Sequence, residues 1–252
     1  MSETASDLLA LALDAHGGVD LWDSVSELRV GLHVRGNILA FRGRSPRARR
    51  LDVTIDPVRV RARLVPFPDA GLVGVLDGRT VRIEDEEGRV LRQRTAGDRR
   101  ARRARLWDDL DELYFLAYSF WNYGTTPFLF RRPGFGLREL SPVPGPDGPL
   151  RRLRVRFPDS VPTHCPEQTF YFGTRGLLRR LDYTAEAFGA WARGAHPCRD
   201  YRSFSGLVVP TERRVVPRPI GRWTLPWPPA MEGRVDSVEV IRSSPAEDTR
   251  PR

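Results

Sequence analysis

Two histidine–cysteine pairs are the residues best suited to chemistry: His164-Cys165 and His196-Pro197-Cys198. Imidazole nitrogen and thiolate sulfur are ligand types that zinc prefers. Neighbouring side chains on a strand point to opposite faces, so His164 and Cys165 would not converge on one ion, whereas His196 and Cys198 share a face. Neither spacing matches a zinc module, so no metal site is expected, and His196 and Cys198 are the positions to inspect. A cysteine nucleophile beside a histidine base would need an orienting carboxylate and an oxyanion turn, and neither accompanies these pairs. Acid–base chemistry would pair His164 with Glu167 or Asp182, and His196 with Asp200. His164, His196 and Asp182 are therefore the catalytic candidates. No phosphate loop, dinucleotide fingerprint or serine elbow occurs, and no cofactor is expected.

The elements that must position these residues are mostly strands. Residues 4–15 read as a helix with Leu8, Leu9, Ala12 and Leu13 on one face. Gly17 and Gly18 end it. Trp22 anchors a short second turn. The period then becomes two. Leu28, Val30, Leu32 and Val34 alternate with polar residues or glycine, as do Leu51, Val53 and Ile55, and then Val58, Val60, Ala62 and Leu64. Short strands follow to residue 93, separated by Asp77-Gly78 and Glu87-Gly88 turns, in an antiparallel meander. Central helices span 105–130. Their acidic first turns, Asp108, Asp109, Asp111 and Glu112, suit the helix dipole. Residues 141–149 read as a Pro/Gly loop. Strands resume over 151–241, with a hairpin around Gly173–Gly176 and one strand from Asp200 to Val209, where Pro210 marks an edge or bulge. Residues 217–230 read as a surface-covering loop. The expected unit is a single domain, 1–242, followed by a disordered tail, 243–252.

Composition narrows the function. Hydrophobic residues make up 40% of the 252, enough for a core. No apolar run is long enough to span a membrane, and no secretory signal is evident, so a cytoplasmic location is expected. Two cysteines fit a reducing compartment. The net charge of +9 invites a nucleic-acid partner. All 41 basic residues are arginine, however, as in a protein from a GC-rich genome where arginine replaces surface lysine. The run at 99–105 reads as a solvated face, and nucleic acid is not the favoured partner.

The order of elements resembles the outer-membrane lipoprotein carrier superfamily. The residues carrying the resemblance are Ala15-His16-Gly17-Gly18 with Trp22, Phe170-Tyr171-Phe172 leading into Leu177–Tyr183, and Phe204–Thr211. A closer resemblance, at 121–128 and 131–135, is to uncharacterised cytoplasmic bacterial proteins of similar length. In that group His-Asp-Tyr is usual where this chain has Leu181-Asp182-Tyr183. The resemblance implies an α+β fold: a strongly curved antiparallel sheet, a half-barrel of roughly ten strands, with helices covering its concave face. The expected function is non-catalytic binding of a hydrophobic or amphipathic small molecule or lipid, with Tyr114, Phe120, Trp121, Tyr123, Phe128 and Phe130 lining the cavity. The alternatives are an enzyme acting on an apolar metabolite through the His/Asp candidates, and an arginine-rich nucleic-acid binder.

Overall fold

A computed structural model describes residues 3–95 and 106–243, so the expectations for the arginine run and for the tail beyond Ser243 fall outside the described residues. Three α-helices occur among the described residues: α1 (Glu3–Ala15), α2 (Val19–Ser24) and α3 (Asp109–Thr125). Among the described residues, thirteen strands form one open antiparallel sheet. They are β1 (Val25–Arg35), β2 (Arg49–Asp56), β3 (Arg61–Val65), β4 (Leu72–Asp77), β5 (Thr80–Asp85) and β6 (Val90–Thr95), followed after α3 by β7 (Gly136–Val143), β8 (Leu150–Arg156), β9 (Glu167–Phe172), β10 (Leu178–Thr184), β11 (Arg193–Phe204), β12 (Leu207–Pro217) and β13 (Met231–Arg242). The sheet order is β6-β5-β4-β3-β2-β1-β13-β12-β11-β10-β9-β8-β7. The chain thus steps outward from the centre, crosses through α3, and steps back until β13 pairs with β1. A curved half-barrel fits this arrangement.

The strand count corrects the expectation of roughly ten, and the reasons are local. Residues Asp200–Val209 read as one strand, but Ser205 and Gly206 have φ of 51° and 93° and turn the chain back, so β11 and β12 form a hairpin. Positive φ at both central residues is the requirement of a tight hairpin turn. β7 was hidden in a stretch containing Pro142; a proline is tolerated there because β7 is the sheet's edge, and its pairing with β8 shifts between Leu140 and Val143. In the other direction, Val58 and Val60 do not extend β3. Asp56 Oδ1 accepts the Val58 and Arg59 amides at 2.8 Å each and makes a turn of them. The 3₁₀ turn Asn37–Arg42 was not foreseen.

The helices pack on the sheet's apolar face. α3 lies against β2 to β6, and α1 against β7 and β8. One contiguous core links Leu8 of α1, Leu28 of β1, Leu113 and Trp121 of α3, and Leu153 of β8. Trp121 is fully buried, and its indole N–H donates to the carbonyls of Asp56 (2.9 Å) and Arg59 (2.7 Å), fixing α3 to the β2–β3 turn. The acidic start of α3 does more than meet the dipole. Asp108 forms a capping box with Asp111. Glu112, with no exposure, accepts from Arg44 and Arg49 at 2.6 Å each, and Asp109 and Asp111 pair with Arg92 and Arg94 of β6 at 2.6 and 2.9 Å. No described helix is long and apolar enough to cross a membrane.

Candidate functional site

The period-two pattern of β1 turns Leu28, Val30, Leu32 and Val34 toward α3, and a cavity of about 110 Å³ remains between them. β2 adds Val53 and Ile55. The face of α3 that meets them carries Phe115, Leu116, Ser119, Phe120 and Tyr123. The lining is overwhelmingly apolar, and its volume is close to that of an engineered cavity known to hold benzene, not to the several hundred Å³ usual for a whole drug-sized ligand.

The far wall is a seam in the sheet. β12 and β13 pair only between Glu212–Val215 and Met231–Arg234. Beyond that, among the described residues, β12 continues to Leu207 paired with β11, its Val208 amide donating to the His16 carbonyl at 3.1 Å, and β13 continues to Arg242 paired with β1. Leu207, Val209 and Pro210 on one side and Val235 and Val238 on the other line the cavity there. Val209, Val235 and Val238 are half-exposed, so the cavity reaches solvent between the strands. Pro210, which lacks an N–H, sits in the unpaired stretch. A register shift in the β1–β13 pairing between Gly31 and Leu32 puts Val235 and Val238 on the same side despite their odd spacing.

One end of the cavity is polar. Tyr123 of α3 meets His164, Tyr183 of β10, His196 of β11 and Arg213 of β12 there. His164 is enclosed, stacked on Tyr183 (4.3 Å, 11°), and hydrogen-bonded through Nδ1 to Tyr118 OH (3.1 Å) and through Nε2 to Tyr123 OH (2.7 Å). Burial lowers its pKa to about 3, so it is neutral. His196 is 2% exposed and lines the cavity, with its ring edge-on to Tyr123 at 4.8 Å. Both of its ring nitrogens are buried without a hydrogen-bond partner among the described residues. Its pKa lies well below the usual histidine value because of burial, and secondarily because of the Arg213 charge. Arg213 lies over the Tyr123 ring (5.1 Å), with Nη2 donating to the Tyr123 carbonyl at 3.4 Å and Nη1 to Cys198 Sγ at 3.6 Å.

The sequence candidates scatter across this geometry. Of the six expected lining residues, Phe120 and Tyr123 line the cavity. Trp121 faces the β2–β3 turn, Phe128 stacks on Trp22 (4.3 Å, 3°), Phe130 packs against Phe170 (4.7 Å), and Tyr114 lies against Tyr118 (5.3 Å). The structure therefore places four of the six in packing elsewhere. Much of the wall is instead made by aliphatic residues of β1, β12 and β13, together with Arg213. The signal for Arg213 was its phase: it stands two residues before Val215, on the inward side of β12, where an apolar residue would be the norm.

The catalytic candidates do not converge. His164 and His196 both touch Tyr123, but Asp182 lies in a separate polar space bordered by Arg152, Arg154 and Arg218. There it accepts from Arg180 (2.6 Å) and Tyr171 OH (2.9 Å). Arg218 and Arg222, from the 217–230 segment, lie over that space. Burial raises both thiols, Cys165 to about 11, which opposes thiolate formation. No group of three metal-ligating side chains is assembled among the described residues, and His196 and Cys198 have no third partner.

Comparisons with known proteins give the fold. No family model matches the chain, and no curated protein matches it. Solved structures do match. A LolA superfamily protein from Nitrosomonas europaea superposes with a TM-score of 0.55 at 10% identity, covering 96% of this chain and 94% of that one. A domain described as an outer membrane lipoprotein-sorting protein, from Vibrio parahaemolyticus, gives 0.58 at 8% identity over 97% and 96%. A DUF1329 family protein from Desulfovibrio piger gives 0.53 at 13% over 95% and 94%. The chain has a LolA-like fold.

Proposed function

We propose that the chain is a non-catalytic carrier that holds a hydrophobic or amphipathic small molecule between α3 and the central strands, under the concave side of a half-barrel. The observation that carries this reading is the apolar cavity itself, open along the β12–β13 seam, where two strands run on without pairing. An opening between unpaired strands admits a chain-like molecule lengthwise, so the modest interior volume does not limit the length of what is bound. The solved structures that share the fold support it, one of them being described as lipoprotein-sorting.

The test uses the neutral fluorophore N-phenyl-1-naphthylamine. Saturable binding is expected, weakened about tenfold by Val235→Trp, which fills the seam, a change equivalent to about 1.4 kcal/mol. Phe128→Leu, which disturbs only the Trp22 stack away from the cavity, should leave binding within about twofold. Unchanged binding in a folded Val235→Trp variant would move the site elsewhere.

A further inference from the structure

We infer that the cavity takes an amphipathic ligand with a carboxylate head, which seats against Arg213 and His196 while its tail lies along the seam. This rests on the carrier reading above and adds what the ligand's polar end must be.

Arg213 provides the first argument. Arg44, Arg49, Arg82 and Arg180 are comparably half-buried, and each faces a carboxylate within ion-pair distance. Arg213 faces none among the described residues; its contacts are a thiol, a carbonyl and an aromatic ring. Glu232 also lines the cavity, but its carboxylate pairs with Arg214 at 3.6 Å. A half-buried cation without a counter-charge pays a desolvation cost that an anion would relieve. Its field is felt by its neighbours: the Arg213 charge opposes protonation of His16 and His196 alike.

His196 is the second, independent argument. A buried imidazole with both nitrogens unpaired forfeits hydrogen bonds that nearly all buried polar groups make. It is nonetheless held on the cavity wall, against the same Tyr123 ring that Arg213 covers. A neutral imidazole supplies one N–H donor, and the guanidinium supplies the others. This donor set suits the two oxygens of a monoanionic carboxylate. A phosphate dianion would bring a second charge into an apolar cavity with one cation to meet it.

Isothermal titration calorimetry at neutral pH on the full chain would compare octanoate, methyl octanoate and octanol. Octanoate should bind at least about tenfold tighter than the ester and the alcohol, a preference of about 1.4 kcal/mol. Arg213→Met should erase that preference and leave ester affinity within about threefold, and His196→Phe should reduce it. Wild-type protein that binds the three ligands equally would overturn the head-group assignment while leaving the carrier reading intact. Binding of none of them, with N-phenyl-1-naphthylamine also failing, would overturn both.

Discussion

His164 and His196 both pack against the same tyrosine, Tyr123, both buried, and they part company in their hydrogen bonds. His164 has a phenol on each nitrogen and a ring stacked on its face. His196 has nothing on either nitrogen among the described residues. Burial makes both neutral, so charge does not tell them apart. Satisfaction does: a saturated buried polar group is part of the architecture, and an unsaturated one on a cavity wall is a group waiting for a partner. The surroundings follow suit, since His164 is packed among α3 and β10 while His196 is part of the cavity wall.

The largest expected effect falls on the saturated side. His164→Leu removes two hydrogen bonds and the Tyr183 stack, and leaves phenol oxygens short of a partner. A loss of about 2–4 kcal/mol is expected from urea unfolding, with the m-value unchanged. A loss below about 0.5 kcal/mol would mean that the His164 network is not holding α3 to β10, and the contrast with His196 would fail.

How much of this contrast was legible beforehand depends on the reach of the interactions. Alternation showed most of the strands and which side of β1 would face inward, because a period of two is written into adjacent residues. It missed the β11–β12 turn, because Ser205-Gly206 is a short signal inside a long apolar and polar mixture. It named His164 and His196 together, since nothing local distinguishes them; their difference is made by Tyr118 and Tyr123, more than forty positions from His164. Aromatic residues on the central helix were read as one lining set, but a helix spreads successive side chains around its axis, and only Phe120 and Tyr123 of the six expected residues turn toward the cavity. The seam was invisible because β12 and β13, though consecutive in the chain, pair over only part of their lengths, and alternation along a strand does not say how far its pairing runs.

A smaller effect sharpens the claim that the two histidines share a charge state. His164 is lowered from 6.5 to about 3 and His16 to about 4, and His196 is also depressed. In the unfolded chain each regains its ordinary value and takes up a proton first. Their contribution to stability is thus complete above pH 6.5 and is lost as the pH falls toward the depressed folded values. Each histidine contributes a slope of up to about 1.4 kcal/mol per pH unit inside that window. Removing either His164 or His196 should flatten the stability profile between pH 6 and about 4 by a similar amount. A His196→Leu variant with the wild-type slope would show that His196 is protonated in the fold.

The smallest effect has the opposite sign from the first, and for that reason cuts deepest. His196→Leu removes a ring that makes no hydrogen bond among the described residues and replaces it with an apolar side chain facing an apolar cavity. Deleting an unsatisfied buried polar group costs no hydrogen bond and removes a desolvation penalty, so the ligand-free protein should gain up to about 1 kcal/mol. The lost edge contact with Tyr123 works against this and holds the gain small. Urea midpoints measured after delipidation would show His164→Leu moving down and His196→Leu moving up or standing still. If His196→Leu fell as far as His164→Leu, His196 would have to be satisfied in solution, and the argument for a ligand head group beside it would lose its second support while that from Arg213 remained.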